Sequence, residues 1–394
     1  MSAHTASLRV TLLRRVLLIC GLLSLHTATP AQVPTRTDCA GATQQLGAAR
    51  AAEERADWEA ALSNYRAASE RAPLCVELLI NLGVAYNRLS RPEQAIETFR
   101  RAASLDPKLA AAHLNLGITF FRARRYEDAG AALARAVALD QTNSQARQLL
   151  ALTLIAREQF SEAAAQLEWL RARDASSGAV LLALGECYLR LRRYREAAER
   201  LGRLVQLDPN SAPAQLRYGE ALDNSGASEP ALGAFRRAVE LDPRLPEAHY
   251  ALGYALLKRG DLAEAAREFE AELRLNPDML LARYHLGKIY LQQGRLAEAT
   301  ESLTRVVETA PDFRPGLEAL GQALLKQKEA ERAVAVLERA ARLGPDWPDG
   351  HALLGRAYLA AGRRAEARRE FAIAQQLAAQ ERQRLEEKVG KQKP

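Results

Sequence analysis

Between residues 42 and 381 the apolar positions recur at i, i+3, i+4 and i+7 in short stretches separated by polar turns. That spacing paints one face of an α-helix, and no stretch shows the strict alternation of a half-buried strand. The pattern therefore predicts an all-α chain with no sheet. The stretches come in pairs. Val76 to Arg88 places Leu79, Leu82, Gly83 and Tyr86 on one face, and Pro92 to Leu105 answers with Ala95, Phe99 and Ala102. Pro92 stands in a first helical turn, where its missing N–H costs nothing. Asp106-Pro107 ends the second helix, because proline disfavours helical geometry in the residue before it.

The pair repeats ten times with a fixed period of 34 residues, at 42–75, 76–109, 110–143, 144–177, 178–211, 212–245, 246–279, 280–313, 314–347 and 348–381. Such a period marks a two-helix unit that stacks into a solenoid, in which each unit rests on its neighbours rather than on one shared core. The twentieth column of the repeat is alanine throughout, from Ala61 and Ala95 to Ala333 and Ala367. The eighth is always Gly or Ala, as at Gly117 and Gly321, and the twenty-fourth is bulky, as at Leu133 and Leu337. Glycine inside a helix costs roughly 1 kcal/mol against alanine. Close approach of the two helices of a pair is the return that explains it.

With a small eighth column, an aromatic or Leu eleventh, Ala twentieth, bulky twenty-fourth and frequent proline thirty-second (Pro73, Pro107, Pro209, Pro243, Pro277, Pro311, Pro345), the chain resembles the tetratricopeptide repeat (TPR) family. The resemblance implies a right-handed superhelix of antiparallel helix pairs. The first helix of each pair, helix A, then lines a concave groove, and the expected function is protein or peptide binding. Asn81 and Asn115 share the sixth column, where some members hold an extended peptide backbone. The family's carboxylate clamp is not matched, since Ile80 and Val84 stand where its first polar residues belong. Gln141 and Ala175 replace proline, and Pro213 and Pro230 make the sixth repeat irregular, so these units are candidates for a soft joint.

Columns two, five, nine and twelve of helix A are expected to face the groove. They are unusually apolar for a surface, and such surface marks a binding site. With the sixth-column asparagines, the candidate groove comprises Ile80, Asn81, Val84, Asn87, Leu114, Asn115, Ile118, Phe121, Leu182, Tyr250, Tyr254, Tyr284 and Lys288. The competing expectation is that tight coiling buries this lining between A helices. A second pattern runs through the turns between the helices of each pair: Arg88, Arg122, Arg124, Arg125, Arg190, Arg192 and Arg193 form a basic rim. It is read either as a contact for an anionic envelope polymer or lipid, or as a solvated rim balanced by Glu93, Glu127, Asp128 and Glu196.

The flanks change the picture of where the chain works. Arg9, Arg14 and Arg15 precede the apolar run Val16 to Leu25 and the small-residue stretch His26 to Ala31, the order of a secretory signal peptide. Cleavage is expected after Ala31, with Ala28 as the alternative and an uncleaved signal anchor as the lesser possibility. Residues 32–41 are then a lead, and 382–394 a polar helical extension and tail. Removing residues 1–31 takes Arg9, Arg14 and Arg15 and no acid, lowering the formal net charge of +7 by three and leaving a mildly basic, Arg-dominated chain with no concentrated face for nucleic acid. Cys39 and Cys75 flank the first pair at one end of the layer and form a candidate disulfide, which export permits. Cys187 is read as a buried packing residue. His113, His249, His285 and His351 lack metal spacing, and no nucleophile or phosphate-loop motif is present, so neither catalysis nor a cofactor is expected. The reading is a non-enzymatic scaffold of the periplasm or cell envelope. The alternatives are a polymer-export accessory acting through the rim and a signal-anchored assembly factor for a membrane complex.

Overall fold

The computed structural model describes residues 37–390; the signal-peptide reading lies outside them. After a 3₁₀ segment, Thr37–Ala42, the described residues form twenty α-helices and no strand. Repeat by repeat, these are α1 (Thr43–Glu54) with α2 (Trp58–Arg71), α3 (Val76–Arg88) with α4 (Pro92–Leu105), and α5 (Ala110–Arg122) with α6 (Tyr126–Leu139). Then come α7 (Ser144–Ala156) with α8 (Phe160–Arg171) and α9 (Gly178–Arg190) with α10 (Tyr194–Leu207). The sixth to eighth pairs are α11 (Ala212–Asn224) with α12 (Ser228–Leu241), α13 (Ala248–Arg259) with α14 (Leu262–Leu275), and α15 (Leu280–Gln292) with α16 (Leu296–Thr309). The last are α17 (Arg314–Lys326) with α18 (Ala330–Leu343) and α19 (Pro348–Ala360) with α20 (Arg364–Gly390). The final helix runs past the usual stop, as the absence of Pro and Gly from Ala365 to Val389 predicts.

The chain divides into two compact units, one ending at Asn210 with α1 to α10 and one beginning at Ser211 with α11 to α20. The division falls at the start of the sixth repeat. Inside each unit a helix packs on its pair partner and on the first helix of the next pair. All ten alanines of the twentieth column are buried, as are most of their large partners in the twenty-fourth. At Gly117 a Cβ would come within 2.4 Å of Leu133 Cγ, so only glycine lets α5 and α6 close this far.

The turn inside each pair has one construction. The fifteenth-column residue lies in the left-handed region in all ten repeats, with glycine at Gly226, Gly260, Gly294 and Gly362 and side-chain-bearing residues such as Ser90, Arg124 and Arg192 in the others. The next amide then reaches back to the eleventh-column carbonyl, as from Arg125 to Phe120 at 2.9 Å and from Arg193 to Tyr188 at 2.8 Å. This closes the helix end in a Schellman motif. At the other end of the pair, fourth-column side chains hold the connecting loop. His249 and His351 each donate from Nε2 to a proline carbonyl, Pro243 and Pro345, at 3.0 Å. These histidines pack, as their place in the fourth column predicts. Among the described residues no helix is long and apolar enough to cross a membrane.

Candidate functional site

In the unit ending at Asn210 the structure revises the groove. Ile80, Leu114 and Ile118 are buried, Ile80 with 1% of its surface exposed, so they belong to the packing and offer no open anchor. The physical reason is that α3 and α5 touch directly, as do α5 and α7, and this contact closes over short aliphatic side chains. Asn81, Val84, Asn87, Phe121 and Leu182 stay half-buried. Two of the amides are engaged within the fold: Asn87 Nδ2 donates to Thr119 Oγ1 at 2.7 Å, and Asn115 Nδ2 donates to the Ala111 carbonyl at 2.9 Å. Their hydrogens therefore serve the fold before they serve a peptide.

The unit beginning at Ser211 is different. On α13 and α15 the rings of Tyr250 and Tyr254 stack at 6.2 Å, and His285 lies 5.4 Å from Tyr254 and 5.2 Å from Tyr284. Tyr284 in turn meets Phe313 edge-on at 5.2 Å. Aromatic pairs at such distances hold each other in place and keep a broad apolar surface rigid. The cluster is not closed over: Tyr254 is 39% exposed, and Leu281, three residues before Tyr284 on α15, is 37% exposed. Burial and the nearby Lys288 hold His285 down to about 4, so it is a neutral ring near pH 7. Lys288 is exposed and its Nζ lies 5.6 Å from the centre of the Tyr284 ring. Lys258 sits 6.0 Å from the Tyr254 ring but is paired with Asp223 at 2.6 Å.

One buried carboxylate sets the start of α13. The twenty-seventh column is otherwise small or aliphatic, with Ala238 and Val306 on either side, but in the seventh repeat it is Glu272, 1% exposed. Its Oε2 accepts from the Tyr250 amide at 3.3 Å, and it also bonds the backbone of Glu247, whose φ is +70°. A carboxylate on the free amides of a helix N-terminus satisfies them and meets the positive end of the helix dipole. Burial pushes its carboxyl up despite these bonds. Glu272 thus fixes the backbone that carries Tyr250. The break in an apolar column was the signal, and reading the columns only for conformity misses it.

The basic rim is largely structural. Arg125 covers the Phe120 ring at 4.7 Å and pairs with Asp128 at 2.8 Å; Arg193 covers Tyr188 at 4.7 Å and pairs with Glu196 at 2.9 Å. Arg295 and Arg363 repeat the arrangement over Tyr290 and Tyr358, with Glu298 and Glu366 as partners. The backbone bond that closes the turn brings the sixteenth-column side chain over the eleventh-column ring, so an aromatic with Arg five residues on and an acid three further is a packing motif. Arg88 covers Trp58, and Arg190 pairs with Glu186 at 3.1 Å. Arg122, Arg124 and Arg192 are exposed, the last two at the left-handed turn position.

Cys39 and Cys75 are bonded to each other across the first pair, with Cα atoms 5.1 Å apart. Cys187 is a buried free thiol that burial pushes up to about 12, which leaves it protonated and inert near neutrality. Among the described residues no group of three or more His, Cys, Asp or Glu is arranged to hold a metal ion.

Comparison with known proteins adds the following. One tetratricopeptide repeat family profile matches residues 46–110, 250–312 and 318–382, a second matches 88–153 and 154–216, and a TPR repeat profile matches 225–260. No curated protein sequence matches. Among solved structures, the C-terminal part of a TPR repeat-containing protein from Cytophaga hutchinsonii is 16% identical, with a TM-score of 0.50 over 60% of this chain and 98% of that one. MamA from Desulfovibrio magneticus RS-1 is 24% identical over 43% of this chain and 96% of its own, with a TM-score of 0.41. The Cut9–Hcn1 assembly of the APC/C is 15% identical, covering 87% and 82%, with a TM-score of 0.42.

Proposed function

The chain belongs to the tetratricopeptide repeat family, whose members mediate protein–protein interaction, and from that premise we propose that it is an exported, non-enzymatic scaffold that docks a partner segment on α13 and α15. The carrying observation is the aromatic cluster of Tyr250, Tyr254 and Tyr284, with Tyr254 and, on α15, Leu281 left in contact with water. Aromatic anchors of this kind lose little side-chain entropy on binding and dominate interface energetics. The signal-like residues 1–31 and the Cys39–Cys75 bond support a working place outside the cytoplasm, in the periplasm or cell envelope. The acid partners of Arg125, Arg190 and Arg193 weigh against the rim as a polymer site.

Site-specific photo-crosslinking in cells tests the reading. Probes replacing Tyr254 and Leu281 are expected to capture a defined partner, and probes at Arg124 and Arg192 are expected to capture none. Capture from the rim probes with silence at Tyr254 and Leu281 would refute it.

A further inference from the structure

Resting on the docking surface just described, we propose that its partner segment carries a carboxylate next to an aromatic or large aliphatic side chain, the carboxylate meeting Lys288 and the apolar group lying on Tyr254 and Leu281. Charge complementarity carries this inference. Several of the cations that lie over aromatic rings are already matched to acids: Arg125 to Asp128, Arg193 to Glu196, Arg295 to Glu298 and, on the same aromatic surface, Lys258 to Asp223. Lys288 has no ion pair among the described residues, and its Nζ lies 5.6 Å from the centre of the Tyr284 ring. Its ninth-column neighbours are Tyr254 and Gln322, so neither adjacent repeat offers it an acid in that column.

The surroundings do not supply the missing charge. Glu318, one repeat on, has Arg314 as its ion-pair partner, at 3.5 Å. His285 is neutral near pH 7 and adds no second cation. What remains is one positive charge at the edge of an exposed aromatic surface. An ion pair in open water contributes little. A carboxylate brought to Lys288 by a neighbouring ring or aliphatic chain that covers Tyr254 and Leu281 meets it with water excluded, where the pairing is stronger. The two contacts therefore work together, and neither a purely acidic nor a purely apolar segment uses both. This differs from capture of a chain-terminal carboxylate by several polar side chains, because here one lysine stands beside tyrosines.

Selection of linear peptides from a random 12-residue phage library tests the proposal, with the full mature chain as target alongside Lys288→Glu and Tyr254→Ala. Both substituted residues are exposed, and circular dichroism checks that the variants stay helical. Wild-type selection should enrich Asp or Glu within two residues of an aromatic or large aliphatic residue. A synthetic peptide from that pool should lose at least tenfold in affinity when its acid becomes the amide, and similarly against each variant. Lys288→Glu should shift enrichment toward Arg and Lys. Peptides that need Tyr254 but ignore Lys288 and their own acids would overturn the charge assignment while leaving the docking surface standing. Peptides indifferent to both variants, or no enrichment, would overturn both. Polygalacturonate binding that depends on Lys288, with no peptide that does, would assign the lysine to a polysaccharide instead.

Discussion

At the scale of single residues, the chain places charges where their cost can be read. Glu318 is mostly buried on α17, and burial lifts its carboxyl to about 7, Arg314 opposing and Asp349 reinforcing the shift. Its folded pKa lies above the unfolded value near 4.5, so the folded state holds the proton more tightly. Between about pH 4.5 and 7 the unfolded chain has released this proton while the folded chain keeps it, and stability falls as pH rises through that window. Above it both states are ionised and the full penalty remains, on the order of 1 to 3 kcal/mol. Glu318→Gln should therefore raise the thermal midpoint at pH 8 and leave it nearly unchanged at pH 4.5, as followed by circular dichroism. Equal effects at both pH values would contradict the assignment. The sequence shows Glu318 only as an acid in a groove column. Its environment comes from neighbouring helices, which a single repeat does not contain.

At the scale of elements, the helix pair was legible and the exposure of its face was not. Period, capping prolines and the small-against-large columns fixed α1 to α20 because each is local or recurs at a constant offset. The left-handed turn residue escaped notice because six of its ten occupants are not glycine, and the backbone bond back to the eleventh column enforces the conformation regardless. Ile118 and Tyr254 both occupy the ninth, a groove column, yet one is 8% and the other 39% exposed. The difference arises from how consecutive A helices meet. Packing also separates two glycines that look alike in sequence. Gly117→Ala would drive a methyl against Leu133 and should destabilise by about 1 to 3 kcal/mol. Gly233→Ala, on α12 with open space around it, should stabilise by up to about 1 kcal/mol. Denaturant melts of the two variants check the contrast, and equal effects would contradict the interlock.

At the scale of the whole molecule, ten equal repeats explain architecture and leave function to the places where equality fails. Those places are Glu272 in an apolar column, the tyrosines of α13 and α15, and the exposed Lys288 beside them. They gather in the seventh and eighth repeats, within one compact unit. The rim arginines, by contrast, recur with their aromatics and acids and are explained by the repeat itself. Hydroxyl-radical footprinting of the tyrosines, comparing the chain in cells with the purified chain, tests this account most directly. Tyr126 and Tyr194, beside Arg125 and Arg193, serve as reporters of the rim. Oxidation of Tyr254 should fall several-fold in cells while Tyr126 and Tyr194 stay unchanged; an unprotected Tyr254 with protected Tyr126 and Tyr194 would contradict the account and move the partner to the rim.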